Sequence, residues 1–123
     1  MTPQRPYLLR AIYEWIVDNE ETPYILVNPF SEGVSVPSSA IIDDKVVLNI
    51  SPMAVKALEL GLEAVVFSCR FSGVEHSVYL PIRSVLSIYS RDSGRGFEFD
   101  DSEYPVKEEA PAEERVKPKL ELV

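Results

Sequence analysis

The sequence predicts a mainly β fold: a small antiparallel β-sandwich or partly open barrel with an N-terminal α-helix and a disordered acidic C-terminal tail. Three observations carry this. One amphipathic helical stretch opens the chain. About six short β-rich runs, punctuated by Pro, Gly and Asn, follow it. The charge then becomes strongly acidic over the last residues, where apolar content falls away.

The chain has 123 residues, enough for one domain. Residues 1–99 carry 8 basic and 12 acidic side chains, and residues 100–123 carry 4 and 8. The net charge of −4 is thus the same in the long part and the short one. This divides the chain into a folded domain, 1–99, a flexible acidic linker, 100–115, and a terminal peptide, 116–123. The linker holds Pro105 and Pro111 and no aromatic after Tyr104. It has too little apolar area to offset the entropy of ordering. Aliphatic and basic residues return in Arg115 to Val123, a composition read either as a docking peptide or as a frayed end.

Pro6 to Val17 is the helix. Leu8, Ile12, Trp15 and Ile16 share one face, and Leu9, Tyr13 and Val17 form an adjacent stripe. Thr2 or Gln4 is the expected cap, with Pro6 in the first turn. Two apolar stripes are read either as two partners, the protein's own core and a second copy of the chain, or as one surface that a small barrel covers entirely. Strands are expected at Tyr24–Val27, weakly at Gly33–Pro37, and at Val46–Ile50 after an Asp43-Asp44-Lys45 turn. Met53–Leu60 reads as a short helix capped by Ser51 and closed by Gly61. Ala64–Phe71 and Val74–Leu80 flank Ser72-Gly73, the strongest hairpin signal in the chain. Ile82–Tyr89, with a turn near Arg83, and Phe97–Phe99 complete the series.

Composition excludes several functions. One Cys and one His build neither a disulfide nor a zinc site, and no run approaches the roughly 20 apolar residues that span a bilayer. A soluble, cytoplasmic protein with no membrane partner and no cofactor is expected. His76 lies in a strand without a nucleophile and orienting group beside it in sequence, and Cys69 sits among aromatics as a small hydrophobe. The Asp43-Asp44 and Asp100-Asp101 pairs read as turn and tail residues. Gly94-Arg95-Gly96 is too short for a phosphate loop. No catalytic residues and no enzymatic activity are predicted. Nucleic acid is disfavoured because only Lys45, Lys56, Arg70, Arg83, Arg91 and Arg95 lie between Tyr24 and Phe99, with no basic stripe. A small-barrel RNA-binding module tied to ribosomes or transcription remains the alternative. Peptide capture suits the fold better: a β edge supplies main-chain hydrogen bonds, and Phe67 to Gly73 offers rings, hydroxyls and a turn.

Thr2-Pro3-Gln4-Arg5-Pro6-Tyr7-Leu8-Leu9-Arg10-Ala11-Ile12-Tyr13-Glu14-Trp15 resembles the opening helix of the stringent starvation protein B (SspB) family. The resemblance continues through Asn19, Thr22-Pro23, Gly33-Val34, Val36-Pro37, Val47 to Pro52, Phe67, Arg70-Phe71, Gly73 and Leu86 to Arg91. It implies an adaptor that binds ssrA-tagged proteins from stalled ribosomes and delivers them to the ClpXP protease, dimerising through its first helix. It further implies that the tail ends in a peptide docking on the N-terminal zinc-binding domain of ClpX. Residues carried over for the tag are Phe67, Ser68, Arg70, Phe71 and Ser72, with Ala40, Val46 and Val74 as walls and His76 at the margin. Arg70 is read either as a partner for an acidic tag residue or as paired with Glu75. Leu8, Leu9, Ile12, Tyr13 and Ile16 are expected at the dimer interface, and Val116, Pro118, Leu120, Leu122 and Val123 at ClpX. Ribosome association is a further expected partnership. Glu121 departs from the family pattern, which commonly has Arg there and ends in Lys.

Overall fold

The computed structural model describes residues 2–99. The expected linker and docking peptide, 100–123, lie outside the described residues.

Helix α1 runs Arg5–Asp18. Gln4 occupies its N-cap position without a capping bond from its side chain, and its carbonyl accepts from the Tyr7 and Leu8 N–H groups at 2.9 Å. Leu9 and Ile16 are buried, and Ile12 and Tyr13 pack partly against the core. The sheets therefore sit astride the line between the two stripes, not on one of them. At 100° per residue this leaves Tyr7, Leu8, Ala11 and Trp15 as a continuous outward band.

Among the described residues seven strands follow: β1 Pro23–Val27, β2 Val46–Asn49, β3 Lys56–Leu60, β4 Ala64–Phe71, β5 Val74–Pro81, β6 Val85–Ser90 and β7 Gly96–Glu98. They form two antiparallel sheets, ordered β2-β1-β6-β7 and β3-β4-β5. Ile25, Val27, Val46, Leu48, Ile50, Val65, Phe67, Val78, Leu80, Val85 and Ile88 fill the space between them, with α1 closing one side against β1, β3 and β6. The sandwich and its N-terminal helix agree with the fold class read from the sequence.

The β4–β5 hairpin has the predicted turn. Ser72 and Gly73 both adopt positive φ, 53° and 81°, as a two-residue turn matched to strand twist requires. Asp43 and Asp44, at 54° and 64°, make an equivalent turn between Ile42 and Lys45. Gly33–Pro37 contributes only one bridge: Ser35 and Tyr79 exchange bonds of 2.8 and 3.1 Å along the outer edge of β5. The long strand expected from Ile82 is divided. A 3-10 turn, Ile82–Ser84, carries the chain from one sheet to the other before β6 begins.

The helix expected over Met53–Leu60 is overturned: Lys56–Leu60 is an edge strand. Lys56 pairs with Ser68 and Glu59 with Val66, so Ala57 and Leu58 together face Phe67 alone. This is a β-bulge, with Ala57 at φ 56°, a left-handed conformation costing roughly 1–2 kcal/mol for a residue with a Cβ. Leu60 and Leu58 point inward at strand spacing. The extra residue reverses the phase, so Val55 points inward and Lys56 outward. The resulting i, i+3 spacing of Val55 and Leu58 imitates a helix.

The α1 C-terminus is tied to the β6–β7 turn. The Ser90 and Ser93 hydroxyls donate to Glu21 Oε1 at 2.5 and 2.8 Å, and Thr22 N–H donates to Asp92 at 2.8 Å. The serine bonds hold the Glu21 carboxyl below its ordinary range, and the Thr22 amide does the same for Asp92. Folded pKa values below the unfolded ones stabilise above the ordinary carboxylate range, and that contribution is lost as pH falls through the folded values. Urea unfolding should therefore show stability falling below about pH 4, with a shallower fall in Glu21→Gln.

Candidate functional site

Two contiguous depressions lie where the β2 edge of one sheet meets the second half of β4 in the other. They share Ala54, Cys69 and Arg70. The first has a cavity volume of about 250 Å³ and is lined by Met53, Ala54, Val55, Lys56, Ser68 and Glu75 with the shared pair from β4. The second, about 260 Å³, adds Tyr24, Val47, Leu48, Asn49 and Phe71. Together they form one groove open to solvent.

Each wall has a local cause. Strand alternation buries Val46 and Leu48 and so turns Val47 and Asn49 outward along β2. The Asn49 side chain accepts from Ser51 N–H at 2.9 Å and starts the tight turn that Ala54 N–H closes on the Ser51 carbonyl. That turn lifts Met53, 97% exposed, onto the rim. On β4, Ser68 and Arg70 share the outward face with Lys56 and Glu75, while Cys69 and Phe71 alternate to the other side. Burial pushes the Cys69 thiol above its usual pKa, which favours its protonated form. Tyr24 packs edge-on against Tyr89 with ring centroids 6.0 Å apart, fixing the far end of the groove. Arg70 donates to the Gly73 carbonyl at 3.2 Å, and among the described residues it makes no ion pair with Glu75, although the register sets the two opposite.

Of the residues assigned to the tag from sequence, Ser68, Arg70 and Phe71 line this groove. Phe67, 2% exposed, and Val46 are core residues: both alternate inward between the sheets. Ser72 and Val74 are exposed at the hairpin tip, and Ala40 packs partly against the core from a 3-10 turn. None of these lines the groove. His76 is half-buried, its ring edge-on to Phe71 at 5.9 Å between centroids. Tyr24, Val47, Asn49, Met53, Ala54, Lys56 and Cys69 went unassigned. Alternation alone identifies Val47 and Asn49 once Val46 is placed inward; Lys56 depends on the β3–β4 pairing, Cys69 adjoins the assigned residues on β4, and Tyr24, Met53 and Ala54 depend on contacts distant in sequence. Among the residues expected at a dimer interface, Leu9 and Ile16 are committed to the monomer core, and Leu8, Ile12 and Tyr13 are partly covered.

Among the described residues, no group of His, Cys, Asp and Glu has the arrangement of a metal site, and no helix is long and apolar enough to cross a membrane. The fold and groove define a class: a small two-sheet sandwich with an open cleft at the sheet junction. The family profile described as Stringent starvation protein B matches residues 3–121. The chain is also 43% identical over 102 residues to the Stringent starvation protein B homolog of Haemophilus influenzae, an alignment covering 83% of this chain and 68% of that protein. The protein belongs to the stringent starvation protein B family, and so to an adaptor family.

Proposed function

We propose that this protein captures the ssrA tag of incomplete proteins as an extended peptide in the inter-sheet groove. Through residues 116–123 it then tethers them to the zinc-binding domain of ClpX, raising their degradation by ClpXP in the cytoplasm without breaking any bond itself. The observation that carries this reading is the groove. It runs along the free edge of β2, where main-chain groups are available to an added strand, and its floor is supplied by Val47, Ala54, Val55 and Phe71. Family membership supports the adaptor role. The acidic stretch 100–115 suits a solvated linker, which makes the second capture intramolecular at an effective concentration set by its length.

Titration of fluorescein-labelled ssrA peptide and of unstructured RNA separates the two candidate ligands. Saturable peptide binding that persists at high salt is expected, and a steep salt slope with RNA supports the RNA-binding alternative. Bound peptide should also slow alkylation of Cys69. A chain lacking 116–123 should bind the peptide unchanged and lose all stimulation of ClpXP. Stimulation that survives the deletion rules out the tether.

A homodimer through α1 completes the proposal, with Tyr7, Leu8, Ala11 and Trp15 in place of the inward Leu9 and Ile16. Tyr7 and Trp15 are 47% and 44% exposed on that band, and large rings in a continuous stripe favour an interface. Trp15→Glu should halve the mass measured by light scattering while leaving peptide affinity unchanged.

A further inference from the structure

The groove carries a charge pattern that a purely apolar peptide would not use. Lys56 stands directly across from Ser68, and Arg70 lies two residues along the same face of β4, so the two cations are diagonal neighbours. Both line the same depression. Among the described residues neither is held by a carboxylate: Arg70 turns back to the Gly73 carbonyl, and Glu75, opposite it, forms no ion pair. The placement of Lys56 is costly. Continued strand alternation from Leu60 and Leu58 would send residue 56 into the core, and only the left-handed bulge at Ala57 turns it to the groove side. Strained backbone next to a cleft is a common mark of a site whose geometry matters.

We propose that Lys56 and Arg70 form a two-cation clamp that selects a carboxylate side chain at one position of the extended peptide bound in this groove. The inference rests on the peptide-groove reading and names what that groove prefers. The clamp's partner is an acidic peptide and not a nucleic-acid phosphate. The same depression includes Glu75 and the apolar side chains of Met53, Ala54 and Val55, and residues 1–99 are net acidic. Both cations are exposed, so the pairing is modest and screened by salt.

The test uses the full chain and labelled ssrA peptides in which each position in turn is Glu, Gln or Lys, read by fluorescence anisotropy. At one position Glu should bind about 5–10-fold more tightly than Gln, and Lys more weakly than Gln, with the gap closing in 1 M salt. The double variant Lys56→Gln with Arg70→Gln should bind all three alike. Lys56→Glu should invert the order, so that the Lys peptide binds better than the Glu peptide; loss of folding cannot produce that outcome. Equal binding of Glu, Gln and Lys peptides at every position overturns the clamp while the peptide groove stands. A preference that persists in the double variant, or displacement of the Glu peptide by unstructured RNA at equal concentration, also overturns it. If no ssrA peptide binds, the groove reading falls and the clamp with it.

Discussion

Phe67→Ala is expected to lower stability by about 3–5 kcal/mol, the range for removing a fully packed aromatic ring. Phe67 is 2% exposed and belongs to the core cluster with Val65, Val78 and Leu80. Its loss leaves a cavity that neighbouring strands, locked by cross-strand pairing with Val78, cannot close. Peptide binding should fall only in step with the unfolded fraction. Arg70→Ala is the contrasting case. Its side chain is exposed and its one hydrogen bond goes to the hairpin turn, so stability should change by less than about 0.5 kcal/mol. Peptide affinity should drop instead. Urea unfolding and peptide titration on the two variants read these effects separately. Weakened binding by a fully folded Phe67→Ala protein would return Phe67 to the site and contradict its place in the core.

Arg5→Leu should be comparably damaging. Arg5 begins α1 and is 1% exposed. Its Nη1 donates to the carbonyls of Arg83 and Val85 at 3.2 and 3.0 Å, and its guanidinium lies 5.3 Å from the centre of the Phe99 ring. One side chain thus pins the helix start to the crossover between sheets and to the end of the described chain. Leucine fills the volume but leaves both carbonyls short of their donor and the ring without its cation. At about 1–3 kcal/mol for each buried group left unsatisfied, a loss of roughly 3 kcal/mol is expected. For a domain of this size that lowers Tm by roughly 12–20 °C. An unchanged m-value would show that the denatured state is unaffected. A loss below about 1 kcal/mol would mean that water replaces the guanidinium at both carbonyls.

Much of the fold was legible because the elements concerned are determined locally. Ser72-Gly73 dictates a two-residue turn, and the two flanking strands end within one residue of the expected positions. Pro6, the apolar spacing and Asn19 bound α1 in the same way. One misreading has a local cause. The bulge at Ala57 makes a strand look helical, because an inserted residue changes the spacing of inward side chains from two to three. The sequence left open whether the two stripes of α1 divide between core and partner or are both covered by the sandwich; a helix lying over the junction of β1, β3 and β6 is covered from both sides of that dividing line.

The candidate site divides along the same boundary. The resemblance led to β4, and Ser68, Arg70 and Phe71 do line the groove. Phe67 was drawn in with them, although strand alternation already separates it from Ser68 and Arg70. The opposite wall, Tyr24, Val47 and Asn49, lies about twenty to forty-five residues away in the chain, and no local pattern connects it to β4.

By itself the sequence determined the family, the sandwich class, the N-terminal helix, the central hairpin and the change of charge at residue 100. Periodicity, turn residues and composition act over a few neighbours, and family resemblance is carried by the letters themselves. Only the tertiary structure decided which face of α1 is free, that Lys56–Leu60 is a bulged edge strand, and that β2 and β4 enclose a groove between them. Those outcomes depend on strand register and on packing between segments distant in sequence, where the free energy of burying one face selects among arrangements that are locally equivalent.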